Sequence, residues 1–403
     1  MQEGKGIFFS SFSQKAKLLR KNSHQAIEWP VFLRRLICYT GTIPDKGEKR
    51  MKENTTGRLL YADLLRALAM VAVIVVHVCG NNWPGMDVRS TEWQILNGFD
   101  SLVRWCVPVF VMLSGMFFLD PQRNVTYKSI FRKNLPRIAA AFLIWSTFYA
   151  LYTALLNSRA GTPDSLWQII TNIAFGHYHL WFIYMIMGLY LITPILRLFI
   201  KGASRRDLEY FLLLYFVFTL FLPMFNGTQV GQVVSGVVYR LDLKMLGGYI
   251  GYFVAGYYFK TYDFTPKVKK LIYAAGILGT LWTWGMTVAA SLDWNAPNET
   301  WFLYVTPNVA MMSVGIFLFF KEHCHGNRLG KRGLAFCLKV SQLSFGMYLV
   351  HAFFNSRLVA LGLNAVTWTP LVAVPVATAL VFLLSFLAAW IMSHIPFLRK
   401  YGM

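Results

Sequence analysis

The sequence predicts an all-α, polytopic membrane protein with ten transmembrane helices and both termini in the cytoplasm. Three observations predict it. The 403 residues are 56% hydrophobic and only 14% charged, which leaves no room for a large soluble domain. Apolar runs of roughly 20 residues, the length a bilayer core requires, recur along the chain. The cations are confined to alternate connections between those runs.

In chain order the predicted spans are Leu59–Cys79, Phe99–Leu119, Arg137–Leu156, His179–Ile200, Glu209–Phe225, Met245–Phe259, Leu271–Ala290, Trp301–Phe320, Val340–Leu361 and Pro370–His394. The first is almost wholly apolar, broken only by Asp63, Arg66 and His77. The fifth and sixth are short, as tilted or broken helices or local bilayer thinning would allow. The sixth is rich in small residues (Gly247, Gly248, Gly251, Gly256), which let helices approach closely.

Charge fixes the orientation. Of 39 Lys and Arg, 31 fall in the N-terminal segment, the even-numbered loops and the C-terminal tail; the opposite loops hold only Arg89, Arg159, Arg240 and Lys244. By the positive-inside rule the first helix then runs outward. The same bias accounts for the net charge of +21, so nucleic acid is not expected as a partner. Residues 1–58 read as a basic cytoplasmic extension near anionic lipid headgroups, with Met51 an alternative start of the chain. Residues 397–403 read as a cytoplasmic tail. The five cysteines lack paired spacing, and no metal-binding motif, phosphate-binding glycine loop or nucleophile elbow occurs.

Arg66 and His77 are the central pair. A mid-helix arginine costs about 2.5–3.5 kcal/mol on insertion scales, so it calls for a compensating use. Eleven residues bring the helix back to within about 20° of its starting face and about 16 Å further along its axis. Asp63, one turn before Arg66, lies close to that face. Arg66 falls toward the cytoplasm and His77 at the outer end. An imidazole there can take a proton from a hydroxyl nucleophile.

Other polar residues converge at two depths. Arg104, His179 and Arg357 lie toward the outer face, where they either surround a chamber with His77 or, for the arginines, snorkel to headgroups. His351 sits past the middle of the ninth span. Lys128, Arg132, Lys133 and Arg137 lead into the third span, as a polyphosphate site or as a lipid anchor. Ser114 and Gly115 allow either close packing or passage of a thin chain, as do Ser344, Gly346 and Tyr348.

With these residues in view, the chain resembles the acyltransferase-3 family of integral membrane acyltransferases. Arg66 and His77 match its R-x10-H signature, preceded by Asp63 in YADLLRAL. RWCVPVFVMLSGMFF (104–118), HLWFIYMIMGLYLITPIL (179–196) and SFGMYLVHAF (344–353) resemble its second, fourth and late elements. The likeness spans residues 59–396 and is nearest to members that O-acetylate enterobacterial common antigen. It implies an O-acyltransferase of the inner membrane with no permanently bound cofactor. Acetyl-CoA would serve as the cytoplasmic donor, and a hydroxyl of a free or lipid-linked glycan as the periplasmic acceptor. It implies catalytic roles for His77, Arg66 and Asp63. Supporting positions would be Arg104, His179, Trp181, Ser114, Gly115, Tyr348 and His351. The resemblance says least about the basic loop; from their cytoplasmic depth alone, Arg132, Lys133 and Arg137 are expected to hold the nucleotide of coenzyme A. The alternatives are a glycan or lipid transporter, or transfer of another acyl group such as succinyl.

Overall fold

The computed structural model describes residues 59–242, 247–325 and 329–403; the 1–58 extension and its Met51 alternative lie outside the described residues. Among the described residues there are helices and turns but no strand. Nine spans are long and apolar enough to cross a membrane. Those matching the first four and the fifth expectations are Leu60–Gly85, Thr91–Phe118, Tyr127–Arg159, Leu166–Gly202 and Arg205–Phe225. The remaining four run Pro266–Trp294, Thr300–His323, Lys331–Ala360 and Pro370–His394.

The principal helices are α1 (Leu60–Gly80), α2 (Thr91–Val103), α3 (Cys106–Phe118), α4 (Leu135–Arg159), α5 (Leu166–Phe175), α6 (Trp181–Gly202) and α7 (Arg205–Tyr215). They continue with α8 (Gln229–Arg240), α9 (Ile250–Thr261), α10 (Pro266–Trp294), α11 (Pro307–His323), α12 (Lys331–Ala360) and α13 (Pro370–His394). The expected sixth span appears as α9, only 12 residues long, with residues 245–246 outside the described set. At about 1.5 Å per residue it reaches about 18 Å, short of a bilayer core of about 30 Å. Among the described residues the other nine expected spans are represented by helical stretches long enough to cross a membrane.

Burial separates centre from periphery. The apolar window of the α1 span is 72% buried inside the protein and that of α10 only 17%, so α1 is central and α10 faces outward. α1 packs against α2, α3, α12 and α13.

Local chemistry explains the boundaries. Ser90 caps α2 by accepting from the Trp93 amide, and Ser165 and Ser204 close capping boxes with Gln168 and Asp207. The expected second span is two helices, α2 and α3, interrupted at Arg104 and Trp105. Pro108 explains the break: it has no amide to bond the Arg104 carbonyl four residues earlier, and its ring crowds that carbonyl. Arg104 therefore sits at a helix end.

α3 and α9 cross at backbone contact. A Cβ on Gly256 would lie 1.9 Å from the Met112 carbonyl oxygen, and one on Gly115 would lie 1.8 Å from that of Phe253. Gly251 fits against the Tyr215 ring, where a Cβ would come within 2.1 Å. The packing reading of the glycines in the sixth segment thus holds at 251 and 256.

Candidate active site

One cavity of about 370 Å3 runs along α1 and is lined by both Arg66 and His77. α3 contributes Phe110 and Ser114 to its wall, α6 and its leading turn contribute His179 and Trp181, and α12 contributes Ser344 and Tyr348. Arg137 and Asn134 line it as well. The helical period places Arg66 and His77 on one face about 16 Å apart along the axis, so the cavity meets α1 at two separate depths.

At the Arg66 end, Asp63, Arg66 and Ser341 tie α1 to α12. The Ser341 hydroxyl donates to Asp63 Oδ1 at 2.6 Å, and Arg66 Nη1 lies 3.6 Å from the same oxygen and donates to Ser341 Oγ at 3.5 Å. The guanidinium also lies 5.8 Å from the Phe117 ring centroid. Held in this way, the half-buried guanidinium has a fixed position beside the cavity. Ser341 was missed in the sequence because a lone serine three residues before Ser344 carries no signal of its own.

Arg137 donates through Nε and Nη2 to the main-chain oxygen of Met403 at 3.1 and 2.9 Å, while Trp145 Nε1 donates to Gly402 O at 2.8 Å. The C-terminal segment is thereby docked beside the Arg137 side of the cavity. Arg132 and Lys133 do not join Arg137 there: they project from a turn of π-helix, Ile130–Asn134, and are exposed away from the lining.

At the other end His77 faces the cavity from the last turn of α1. Its carbonyl accepts from Asn355 Nδ2 at 3.0 Å, and Asn355 in turn accepts from Asn81 at 3.1 Å, which secures the end of α1. His351 is fully buried, with its ring centroid 4.9 Å from that of His77. His351 Nδ1 lies 2.6 Å from the Tyr348 carbonyl, so that nitrogen carries the proton. Tyr348 donates its hydroxyl to the His179 carbonyl. His177, which the sequence reading did not single out, pairs with His179 through Nδ1 atoms 2.9 Å apart. The spacing His-x-His just before an apolar span was its only available signal. Trp181 stands between Tyr304 and Tyr249, with ring centroids 6.0 and 5.8 Å away, so the His77 end has an aromatic wall.

Several expected positions do not line the cavity: Asp63, Gly115, Arg104 and His351, besides Arg132 and Lys133, and Arg357 is outside it as well. Gly115 does not line the cavity; its missing side chain makes room for the Phe253 backbone, whereas its neighbour Ser114 does face the cavity. Arg104 sits behind the lining, ion-paired with buried Asp100 and with its guanidinium 4.0 Å from the Phe302 centroid. The helix break directs it into protein rather than to headgroups. Arg357 is outside the chamber, where it donates to Tyr152 Oη at 2.6 Å.

The fold and cavity define a multi-pass helical membrane protein with a histidine and an arginine on one internal path. The family model described as an acyltransferase domain, Acyl_transf_3, matches residues 59–390. The chain belongs to this acyltransferase-3 family and is an acyltransferase. Neither a curated protein nor a solved structure matches it significantly.

Proposed function

We propose that this protein is an inner-membrane O-acetyltransferase. It would move an acetyl group from cytoplasmic acetyl-CoA to a sugar hydroxyl of a periplasmic glycan such as enterobacterial common antigen. In this reading the short helix α9 counts as a tenth span and both termini are cytoplasmic, consistent with the charge asymmetry. The single observation that carries the reading is the continuous cavity lined by Arg66 and His77.

Acetyl-CoA cannot cross the bilayer, but its pantetheine arm is long and thin. The nucleotide stays at the cytoplasmic mouth beside Arg137, and the arm passes Arg66 toward His77. Arg66, held by Asp63 and Ser341, gives that passage a fixed positive charge. At the far end His77 either takes the proton of the acceptor hydroxyl as its oxygen attacks the acetyl carbonyl, or first carries the acetyl group itself. In both routes the C–S bond breaks with its electron pair on coenzyme A. Trp181 and the tyrosines beside it offer flat apolar faces for a sugar ring.

Mass spectrometry of surface glycans from cells with and without the protein tests the assignment. A loss of one acetyl group per modified sugar in its absence supports it; identical glycans contradict it. A transporter would show no acetyl transfer in detergent, and a succinyl transferase would show a different mass.

A further inference from the structure

Next to the cavity lies a group of histidines that acetyl transfer at His77 does not by itself require. The rings follow one another: His77 to His351 at 4.9 Å, His351 to His179 at 5.2 Å and His179 to His177 at 5.1 Å between centroids. His351 and His179 are buried, and His177 is half-buried at the end of the series. The Nε2 atoms of His351 and His179 are both buried without a hydrogen-bond partner. Such orphaned atoms are rare enough to require an explanation. Because His351 Nδ1 donates to the Tyr348 carbonyl, its neutral ring has a free lone pair on Nε2. Of the tyrosines packed around the series, Tyr149 and Tyr348 donate their hydroxyls to the carbonyls of Leu349 and His179, and Tyr178 packs its ring against His77, His177 and His179 at 5.4, 4.5 and 5.6 Å. Among the described residues no group of three or more histidine, cysteine or acidic side chains is arranged to hold a metal.

We propose that His351, His179 and His177 form a proton path that carries the acceptor's proton from His77 to the acceptor side of the membrane. The inference rests on the acetyl-transfer reading and its orientation. As the acceptor oxygen bonds the acetyl carbon, its proton passes to His77. The C–S bond breaks, and the thiolate of coenzyme A keeps the electron pair and takes a proton from cytoplasmic water. His77 returns to its neutral form by passing its proton to His351 Nε2; a small swing of that ring, pivoting on the hydrogen bond from Nδ1 to the Tyr348 carbonyl, then turns the same N–H from His77 to the free His179 Nε2. His179 releases its Nδ1 proton to His177 Nδ1, and His177 gives up its Nε2 proton at the rim. For each acetyl group transferred, one proton appears on the acceptor side and one is consumed on the donor side. The three histidines act through His77 and are positioning residues for proton transfer.

The test uses full-length protein in liposomes, with alkali-deacetylated enterobacterial common antigen and a pH-sensitive dye sealed inside and acetyl-CoA added outside. The proposal predicts that the lumen acidifies by one proton per acetyl group transferred. In His177→Asn the amide can still bond His179 but cannot relay a proton, so transfer should fall on the order of tenfold or more, toward the roughly 100-fold at which acid–base contributions begin. Imidazole in the lumen should restore it. Transfer without lumenal acidification overturns the path, as does an undiminished rate in His177→Asn. A loss that imidazole leaves unchanged gives His177 a purely structural part and also overturns it. If the wild type transfers no acetyl group at all, the acetyl-transfer reading falls and the path falls with it.

Discussion

Arg66 and His77 stand on one face of α1 and line one continuous cavity, Arg66 bound to Ser341 and His77 beside His351. They are too far apart to act as a contacting dyad. Their geometry is that of two stations on a path, one near Arg137 and one within the histidine cluster.

Ser341 should matter because it holds the first station. Ser341→Ala removes the 2.6 Å hydrogen bond to buried Asp63 and the contact to Arg66 at 3.5 Å. The expected cost is about 1–3 kcal/mol of stability. It should be accompanied by lower activity as Arg66 loses its anchor. Thermal unfolding and transfer assays on the same preparation check both.

Arg104 and Asp100 should behave as a structural pair. Removing one partner leaves a buried charge uncompensated, which typically costs about 3–5 kcal/mol, whereas replacing both by apolar residues is often tolerated. Arg104→Met should therefore unfold at markedly lower temperature than the wild type. The double variant Asp100→Leu, Arg104→Met should recover stability and most activity. A stable but inactive double variant would restore a direct chemical role to Arg104.

Gly115 and Ser114 are neighbours with opposite predictions. Gly115→Ala drives a methyl group into the Phe253 backbone and must spread α3 from α9, an overpacking cost of typically 1–3 kcal/mol or more. Ser114→Ala should leave the fold intact, since its hydroxyl only returns to the Phe110 carbonyl at 3.0 Å. Ser114→Trp should keep the fold better than Gly115→Ala yet block transfer by filling the cavity. Unfolding temperatures and transfer rates for the three variants separate packing from passage.

Arg137, in the first turn of α4, lines the cavity, whereas Lys128, Arg132 and Lys133 before it do not, and it is expected to meet the donor. Arg137→Ala should raise KM for acetyl-CoA several-fold with a smaller effect on kcat, the pattern of lost ground-state binding. Arg132→Ala and Lys133→Ala should change neither by much. Equal effects at all three positions would point to general attraction of an anionic donor.

Helical periodicity made the Arg66–His77 stripe legible, because both residues belong to one uninterrupted apolar run. Hydropathy likewise located the main spans. What it did not resolve was the break between α2 and α3, although Pro108 was its visible cause. That break turns Arg104 away from the cavity toward Asp100. Gly115 shows a different limit: a small residue in a span serves packing or passage equally well in sequence, and only the proximity of the Phe253 carbonyl decides. Ser341 depends on contacts between the distant segments α1 and α12, which have no local signature, and His177, marked only by its His-x-His spacing, is placed by stacking on Tyr149 of α4. Arg132, Lys133 and Arg137 look alike in the sequence, and only the three-dimensional arrangement separates Arg137, which lines the cavity, from the other two, which are exposed on the π-helical turn.

The most direct measurement is transfer of labelled acetyl from acetyl-CoA to deacetylated glycan by purified wild type and His77→Ala, with donor binding and unfolding temperature recorded on the same samples. Wild type should label the glycan, while His77→Ala stays folded, binds acetyl-CoA and loses transfer by about 100-fold or more. Transfer at the wild-type rate by folded His77→Ala would contradict the assignment of His77 as the residue that handles the acceptor's proton or carries the acetyl group.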